Sequence, residues 1–255
     1  MNEAFIVTGD KRNELIESDP RCAEIIRPIL RGRDIKRYSY DYADLWLIYI
    51  PWHFPLHNDP SIAGASEKAE KAFKAQYPAI YNHLLVYKEE LSNRNKAETG
   101  VRYEWYALQR WGANYWEDFF KQKIMYPNMT KFLPFYLDNK GFMQNDKSFM
   151  ITGEHLAYLT AFLNSSLFKY CFLDNFPELQ GGTRELRKIF LDKIPVLKVS
   201  NKINSVFEKL VSKVQENKIN QLPTRSTEIE IDELIFDLYS LTDKEKKIIG
   251  FIEIQ

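Results

Sequence analysis

Hydrophobic positions change their period several times along this chain. Ala4-Phe-Ile-Val-Thr-Gly9 and Leu45-Trp-Leu-Ile-Tyr-Ile50 are short runs of β-branched and aromatic residues, closed by Gly9 and Pro51, and both predict strands. Three prolines between Pro51 and Pro60 remove donors and fix φ, so that stretch predicts an irregular loop. Ser66 to Tyr77 is rich in Ala, Lys and Glu and predicts a helix. Pro78 starts a new element, in which Ile80, Leu84, Tyr87 and Leu91 keep a helical stripe. Eight aromatics crowd Tyr103 to Phe120, most of them expected in the core. Lys123–Pro127, Phe132–Leu137 and Phe149–Ile151 then predict strands of one sheet, with Asp138-Asn-Lys-Gly141 as a turn. Thr152-Gly-Glu-His155 opens a helix with its stripe on Leu156, Leu159, Leu163 and Leu167.

The paired glycines of Gln180-Gly-Gly-Thr-Arg-Glu185 break the pattern, after which the chain turns helical. Ile203, Val206, Phe207, Leu210, Val211 and Val214 follow the i, i+3, i+4, i+7 rule, and Leu234, Ile235, Leu238 and Tyr239 mark a second helix. Thr242-Asp-Lys-Glu245 is a capping box for a third. The pattern predicts an α+β fold: a mixed-sheet domain over residues 1–198 and a helical appendage over 199–255.

With 255 residues, 45% hydrophobic and 27% charged, the composition is that of a globular protein, which excludes a disordered or fibrous chain. Lys+Arg and Asp+Glu balance at 35 each, so any contact with a polyanion must come from local segregation of charge. Arg27-Pro-Ile-Leu-Arg-Gly-Arg-Asp-Ile-Lys-Arg-Tyr38 holds five basic residues and one acid in twelve positions. Ser226 to Glu245 holds seven acids and one base, which predicts an acidic outer face on the C-terminal helices, away from phosphates.

Candidate chemistry is sparse. Cys22 and Cys171 have no Cys-x-x-Cys or Cys/His spacing, so both are expected to be buried thiols. His53 and His57 share the proline-rich loop, which cannot give them helical metal-pair spacing, and His155 falls in a first helical turn. Glu216-Asn-Lys218 is the nearest triplet to a nuclease acid-x-Lys unit, but it sits at the end of an amphipathic helix. Asn-Pro-Pro-Tyr, Asp-Pro-Pro-Tyr, Phe-x-Gly-x-Gly and glycine-rich phosphate loops are all missing from the sequence. No catalytic or metal-ligating residue is expected. No apolar run approaches the roughly 20 residues of a membrane span. The first residues lack a secretion signal's basic region and cleavage site, so a cytoplasmic location is expected.

Binding is the better prospect. In the basic cluster, Arg27, Arg31, Arg33, Lys36 and Arg37 suit phosphate or a guanine edge, Gly32 would let the backbone come close to a phosphate, and Tyr38 could stack beside them. A solvated, salt-bridged turn is the plainer alternative. Arg102, Arg110 and Trp111 stand at the rim of the aromatic block, with Trp105 buried. Gln180, Thr183 and Arg184 give the glycine loop donors and acceptors matched to adenine and guanine edges, unless it is an ordinary turn.

The basic run to Tyr38 resembles the opening of the TaqI-like C-terminal specificity domain. Further blocks resemble the same family in the same order. They are Ala4–Gly9, Trp105-Tyr-Ala-Leu-Gln-Arg110, Lys123-Ile-Met-Tyr-Pro127 and Leu159-Thr-Ala-Phe-Leu-Asn-Ser-Ser166, then Gly181-Gly182 with Lys188 and Ile194-Pro195, and the tail Ile231 to Asp243. The resemblance spans nearly the whole chain. It implies the part of a type IIG or related adenine-specific restriction-modification enzyme that reads the DNA target, with Lys188 among the DNA-contacting residues. In that family a nuclease and an adenine methyltransferase domain precede this region, and S-adenosylmethionine and magnesium belong to those catalytic partners. The chain is therefore expected to be the C-terminal part of a larger enzyme or a separate specificity subunit, binding double-stranded DNA without catalysis of its own. An autonomous nuclease with a degenerate metal site, or an interaction subunit that never touches DNA, are the alternatives.

Overall fold

Ile6–Thr8, Leu45–Ile48 and Ile26–Leu30 pair antiparallel in that order, with Val7 opposite Trp46 and Arg27 opposite Leu47. The computed structural model describes residues 2–131 and 133–252, apart from the side chains of Asn2 and Asp174, and its fold is α+β. Cα packing divides it into two units. The first comprises Met1–Ile29, Asp44–Phe120 and Gly141–Met143; the second comprises Leu30–Ala43, Lys121–Lys140 and Gln144–Gln255.

In the first unit the predicted N-terminal strand is shorter than expected. Residues Asn2–Phe5 are helical and only Ile6–Thr8 is extended. Gly9 does not end the strand in a turn but begins the helix Gly9–Ser18, whose N-cap Thr8 accepts from the Lys11 N–H at 3.4 Å. A Cβ on Gly9 would lie 1.9 Å from the Asp44 carboxylate, so the glycine leaves room for that side chain against the first helical turn. Ser66 caps Glu67–Gln76 through the Ala69 N–H, and Pro78 occupies the first turn of Pro78–Leu85, where its missing donor costs nothing. Phe73 of the first helix stacks on Tyr106 at 4.5 Å, and Leu84, Tyr103 and Trp105 complete a buried aromatic core. Each such side chain contributes about 1.5–3 kcal/mol through burial.

The loop after Ile50 is irregular, as its prolines predict. Buried Glu104 clamps it by accepting from the His53 N–H at 2.8 Å and the Ser66 N–H at 2.9 Å, with His53 Nδ1 at 3.0 Å. The aromatic block divides: Tyr103, Trp105, Tyr106 and Phe119 are buried, whereas Tyr115, Trp116 and Phe120 are exposed.

In the second unit Ser148–Ile151, Lys123–Pro127 and Tyr136–Asp138 form an antiparallel sheet in that order. All five residues of the central strand are buried. Lys123, at its start, is fully buried opposite Asp138, and the two form an ion pair of 2.5 Å. The strand expected over Phe132–Leu137 is confined to Tyr136–Asp138 because Pro134 interrupts the ladder; Phe132 lies outside the described residues.

Leu156–Leu163 packs on the sheet and on Asn201–Ile219, with the Tyr158 and Phe207 rings 5.4 Å apart. Arg225–Leu238 and Asp243–Ile249 follow, the latter carrying the predicted Thr242–Glu245 capping box. The helices expected to form an appendage pack against the sheet layer. Phe207, Val211, Val214, Ile231 and Ile235 share one hydrophobic cluster with Ile124, Phe135 and Phe162 of the sheet and its covering helix, since neither layer can bury its apolar face alone. The thiols also separate. Cys22 is buried, which pushes its pKa up to about 11, whereas Cys171 is exposed in the last turn of Ser166–Phe172, where Phe172 and Leu173 take the core-facing positions.

Candidate nucleic-acid interface

The basic run folds as a turn in which charged side chains alternate between two jobs. Arg31 bends back onto Asp34, donating from Nε and Nη2 at 2.8 Å each, while its backbone N–H donates to the same carboxylate at 2.8 Å. Burial raises the Asp34 pKa, but the hydrogen bonds from Arg31 outweigh it and leave the carboxyl below its usual range. A Cβ on Gly32 would come within 2.4 Å of the Lys147 carbonyl oxygen, and the Gly32 N–H faces Asn145 Oδ1 at 3.3 Å. The glycine admits the protein's own backbone, not a phosphate. Arg33 is exposed, and its guanidinium makes no hydrogen bond or ion pair among the described residues. Lys36 is exposed too, with Nζ 2.9 Å from the Arg33 carbonyl and 3.4 Å from Asp41.

Arg37 and Tyr38 point the other way. The Arg37 side chain is 8% exposed, donates to the Asn164 carbonyl from Nη2 at 2.8 Å, and forms an ion pair with Glu228, itself 7% exposed. Tyr38 is fully buried with φ of 57°, and its N–H donates to the Phe135 carbonyl at 3.1 Å. The expectation that these two side chains touch a ligand is therefore corrected: both lie inside the second unit and hold the turn in place. Glu228 also accepts from Thr224 at 2.6 Å, and nearby Asp232 takes hydrogen bonds from the Ser166 N–H and hydroxyl. The two carboxylates expected on an acidic outer face are buried partners instead.

The glycine loop is a hairpin. Gly181 and Gly182 have φ of 77° and 76°, a region where a side chain is strained. Thr183–Glu185 pairs with Glu178–Leu179 on one side and Met129–Thr130 on the other. Gln180 is exposed and Thr183 half-buried at the turn. Arg184 donates to the Phe176 carbonyl at 3.0 Å and to Glu178 at 3.1 Å, so it braces the hairpin. Lys131 stands beside the loop, its Nζ 3.9 Å from where a Gly181 Cβ would be. Lys188 is exposed and pairs with Asp192.

The remaining candidates belong to the first unit. Arg27 is turned onto backbone, its Nη1 3.0 Å from the Ala23 carbonyl and its Nη2 2.5 Å from that of Glu24. Arg102 pairs with Glu98 at 2.8 Å and lies over the Trp52 ring. Arg110 is exposed, and half-buried Trp111 borders a cavity with Tyr49, whose hydroxyl donates to the Trp111 carbonyl at 2.9 Å. Among the described residues no group of three or more His, Cys, Asp or Glu side chains could hold a metal ion, and no helix is long and apolar enough to cross a membrane.

The sequence profile of the TaqI-like C-terminal specificity domain matches residues 27–196, a span that runs from the basic turn past the glycine hairpin. The chain belongs to this family. The type II methyltransferase M.MjaIV of Methanocaldococcus jannaschii is 23% identical over 243 residues, covering 92% of this chain and 74% of that protein. The type IIL restriction-modification enzyme MmeI, whose structure was solved in complex with DNA, shares the fold with a TM-score of 0.58 and 13% identity. That alignment covers 97% of this chain but only 32% of MmeI, so the chain spans about a third of that enzyme's length.

Two features of this specificity domain escaped sequence reasoning. Lys131 carries no local signal, because strand pairing alone brings it beside the hairpin. The buried acids did leave one: Glu228, Ile231, Asp232 and Ile235 occupy i, i+3, i+4 and i+7, so the carboxylates share the helix face that enters the core.

Proposed function

We propose that this chain is the non-catalytic target-reading part of an adenine-specific restriction-modification enzyme of the type IIG kind, and that it binds duplex DNA. The observation that carries this is the outward pair Arg33 and Lys36 on a turn braced from behind by Arg31 and Arg37, inside the span that matches the family. A guanidinium that makes no hydrogen bond or ion pair among the described residues and a lysine whose partners are a carbonyl and an exposed carboxylate are suited to phosphate oxygens. Gln180 and Thr183, at the tip of the hairpin, have the donors and acceptors that read base edges, with Lys131 and Lys188 as flanking cations and Arg184 as the brace. On the first unit Arg102, Arg110 and Trp111 supply further contacts. S-adenosylmethionine and magnesium are assigned to a catalytic partner, and the enzyme's DNA substrate puts it in the cytoplasm.

The test is selection of bound duplexes from a random pool by the purified chain. A recovered sequence motif is the expected result. Failure to retain any duplex at low salt would sink the proposal and favour a subunit that contacts only protein, and magnesium-dependent cleavage of plasmid by the chain alone would favour a nuclease.

A further inference from the structure

We propose that the cavity in the first unit, walled by Tyr49, Trp111, Trp116 and Phe120, is a seat for one unpaired nucleobase; this rests on the DNA binding proposed above. The cavity measures about 210 Å³. That is below the roughly 300–1,000 Å³ of pockets for drug-sized ligands, so it admits one small ring system and not a peptide segment. Trp116 and Phe120 stand exposed at its wall, although aromatic side chains of this size usually find cover.

The walls are held in place by their own contacts. Tyr49 is fixed by its hydrogen bond to the Trp111 carbonyl. Phe120 meets Tyr49 and Trp116 edge-on, with centroids 6.4 and 6.1 Å away. The Arg27 guanidinium lies 5.9 Å from the Phe120 centroid, and it donates in plane from Nη1 and Nη2 to the carbonyls of Ala23, Ile26 and Glu24. A guanidinium bonded in plane keeps its flat faces for stacking. A pocket built this way favours a flat, aromatic occupant.

The polar part of the wall favours a heterocycle over a hydrocarbon. His57 also borders the cavity; burial holds its pKa below the ordinary value, and with its ring N–H bonded to the Pro55 backbone the other nitrogen is an acceptor at neutral pH. The Asn58 amide adds a donor and an acceptor. A nucleobase is the flat ring with a mixed donor and acceptor edge that a DNA-binding chain meets. A free nucleotide offers the same ring, so the test must separate the two.

The experiment compares fluorescence anisotropy of labelled duplexes that differ by a single unpaired base, with the full chain at one salt concentration. Base–aromatic stacking predicts about 5- to 150-fold tighter binding of the bulged duplex. Trp116→Ala and Phe120→Ala should each erase that preference and leave affinity for the fully paired duplex within about twofold. Trp116→Phe keeps a stacking ring and should keep most of the preference. Equal affinity of the wild type for both duplexes, or a preference that survives both alanine variants, would overturn the proposal. So would competition by an equimolar free nucleoside monophosphate, which would make the occupant a free nucleotide. Binding of the bulged duplex without binding of the paired one would support the seat and overturn the duplex reading alone; binding of neither would overturn both.

Discussion

Arg37→Ala is the substitution that most sharply separates the bracing arginines from the outward ones. It removes the Nη2 bond to the Asn164 carbonyl at 2.8 Å and the ion pair with Glu228, and it leaves a carboxylate that is 7% exposed with only Thr224 and, at 3.6 Å, Lys218. Removing one partner of a buried pair costs about 3–5 kcal/mol when the other charge loses its close partner, and here only the more distant Lys218 remains among the described residues. At about 2–4 °C per kcal/mol for a unit of this size, the melting temperature of the second unit should fall by about 6–20 °C. All five tryptophans, at positions 46, 52, 105, 111 and 116, lie in the first unit, whereas the long helices Asn201–Ile219 and Arg225–Leu238 lie in the second. Far-ultraviolet circular dichroism is therefore weighted toward the second unit, with a smaller contribution from Gly9–Ser18, Glu67–Gln76 and Pro78–Leu85, and tryptophan fluorescence follows the first. The expected result is an early circular dichroism transition. Below that transition the variant should keep the wild-type salt slope of DNA binding, since the Arg37 guanidinium is turned onto Asn164 and Glu228. A stable variant whose salt slope drops by about one unit would refute the reasoning and put Arg37 on the DNA.

Arg33→Ala and Lys36→Ala should leave melting unchanged and weaken binding to all sequences alike, each lowering the salt slope by about 0.9 per lost phosphate contact, measured by isotherms across a salt series. Gln180→Ala should cost about 1–3 kcal/mol on the selected duplex and little on a scrambled one, in paired isotherms at one salt concentration. Arg184→Ala should instead weaken binding to both duplexes, because it loosens the hairpin it braces. For Asp34, whose folded pKa is depressed, the stabilisation from Arg31 is complete above the ordinary value near 4 and is lost as pH falls through the lower folded value. The gap in melting temperature between wild type and Asp34→Asn should thus shrink as pH falls from 6 toward 2, and a constant gap would contradict the pairing.

Local chemistry wrote much of this fold into the chain. Ser66, Pro78 and the Thr242–Glu245 box mark helix starts because caps act within four residues, and Ile203 to Val214 reads as one buried stripe because helical period is a property of the backbone. The density of positive charge between Arg27 and Arg37 was equally legible. Its division into outward Arg33 and Lys36 and bracing Arg31 and Arg37 was not. The groups that hold Arg37, Asn164 and Glu228, lie 127 and 191 residues away, and the carbonyl that excludes a side chain at Gly32 belongs to Lys147. Identical side chains a few residues apart take opposite roles because burial depends on which distant segments pack against each one, and only the tertiary structure decides that.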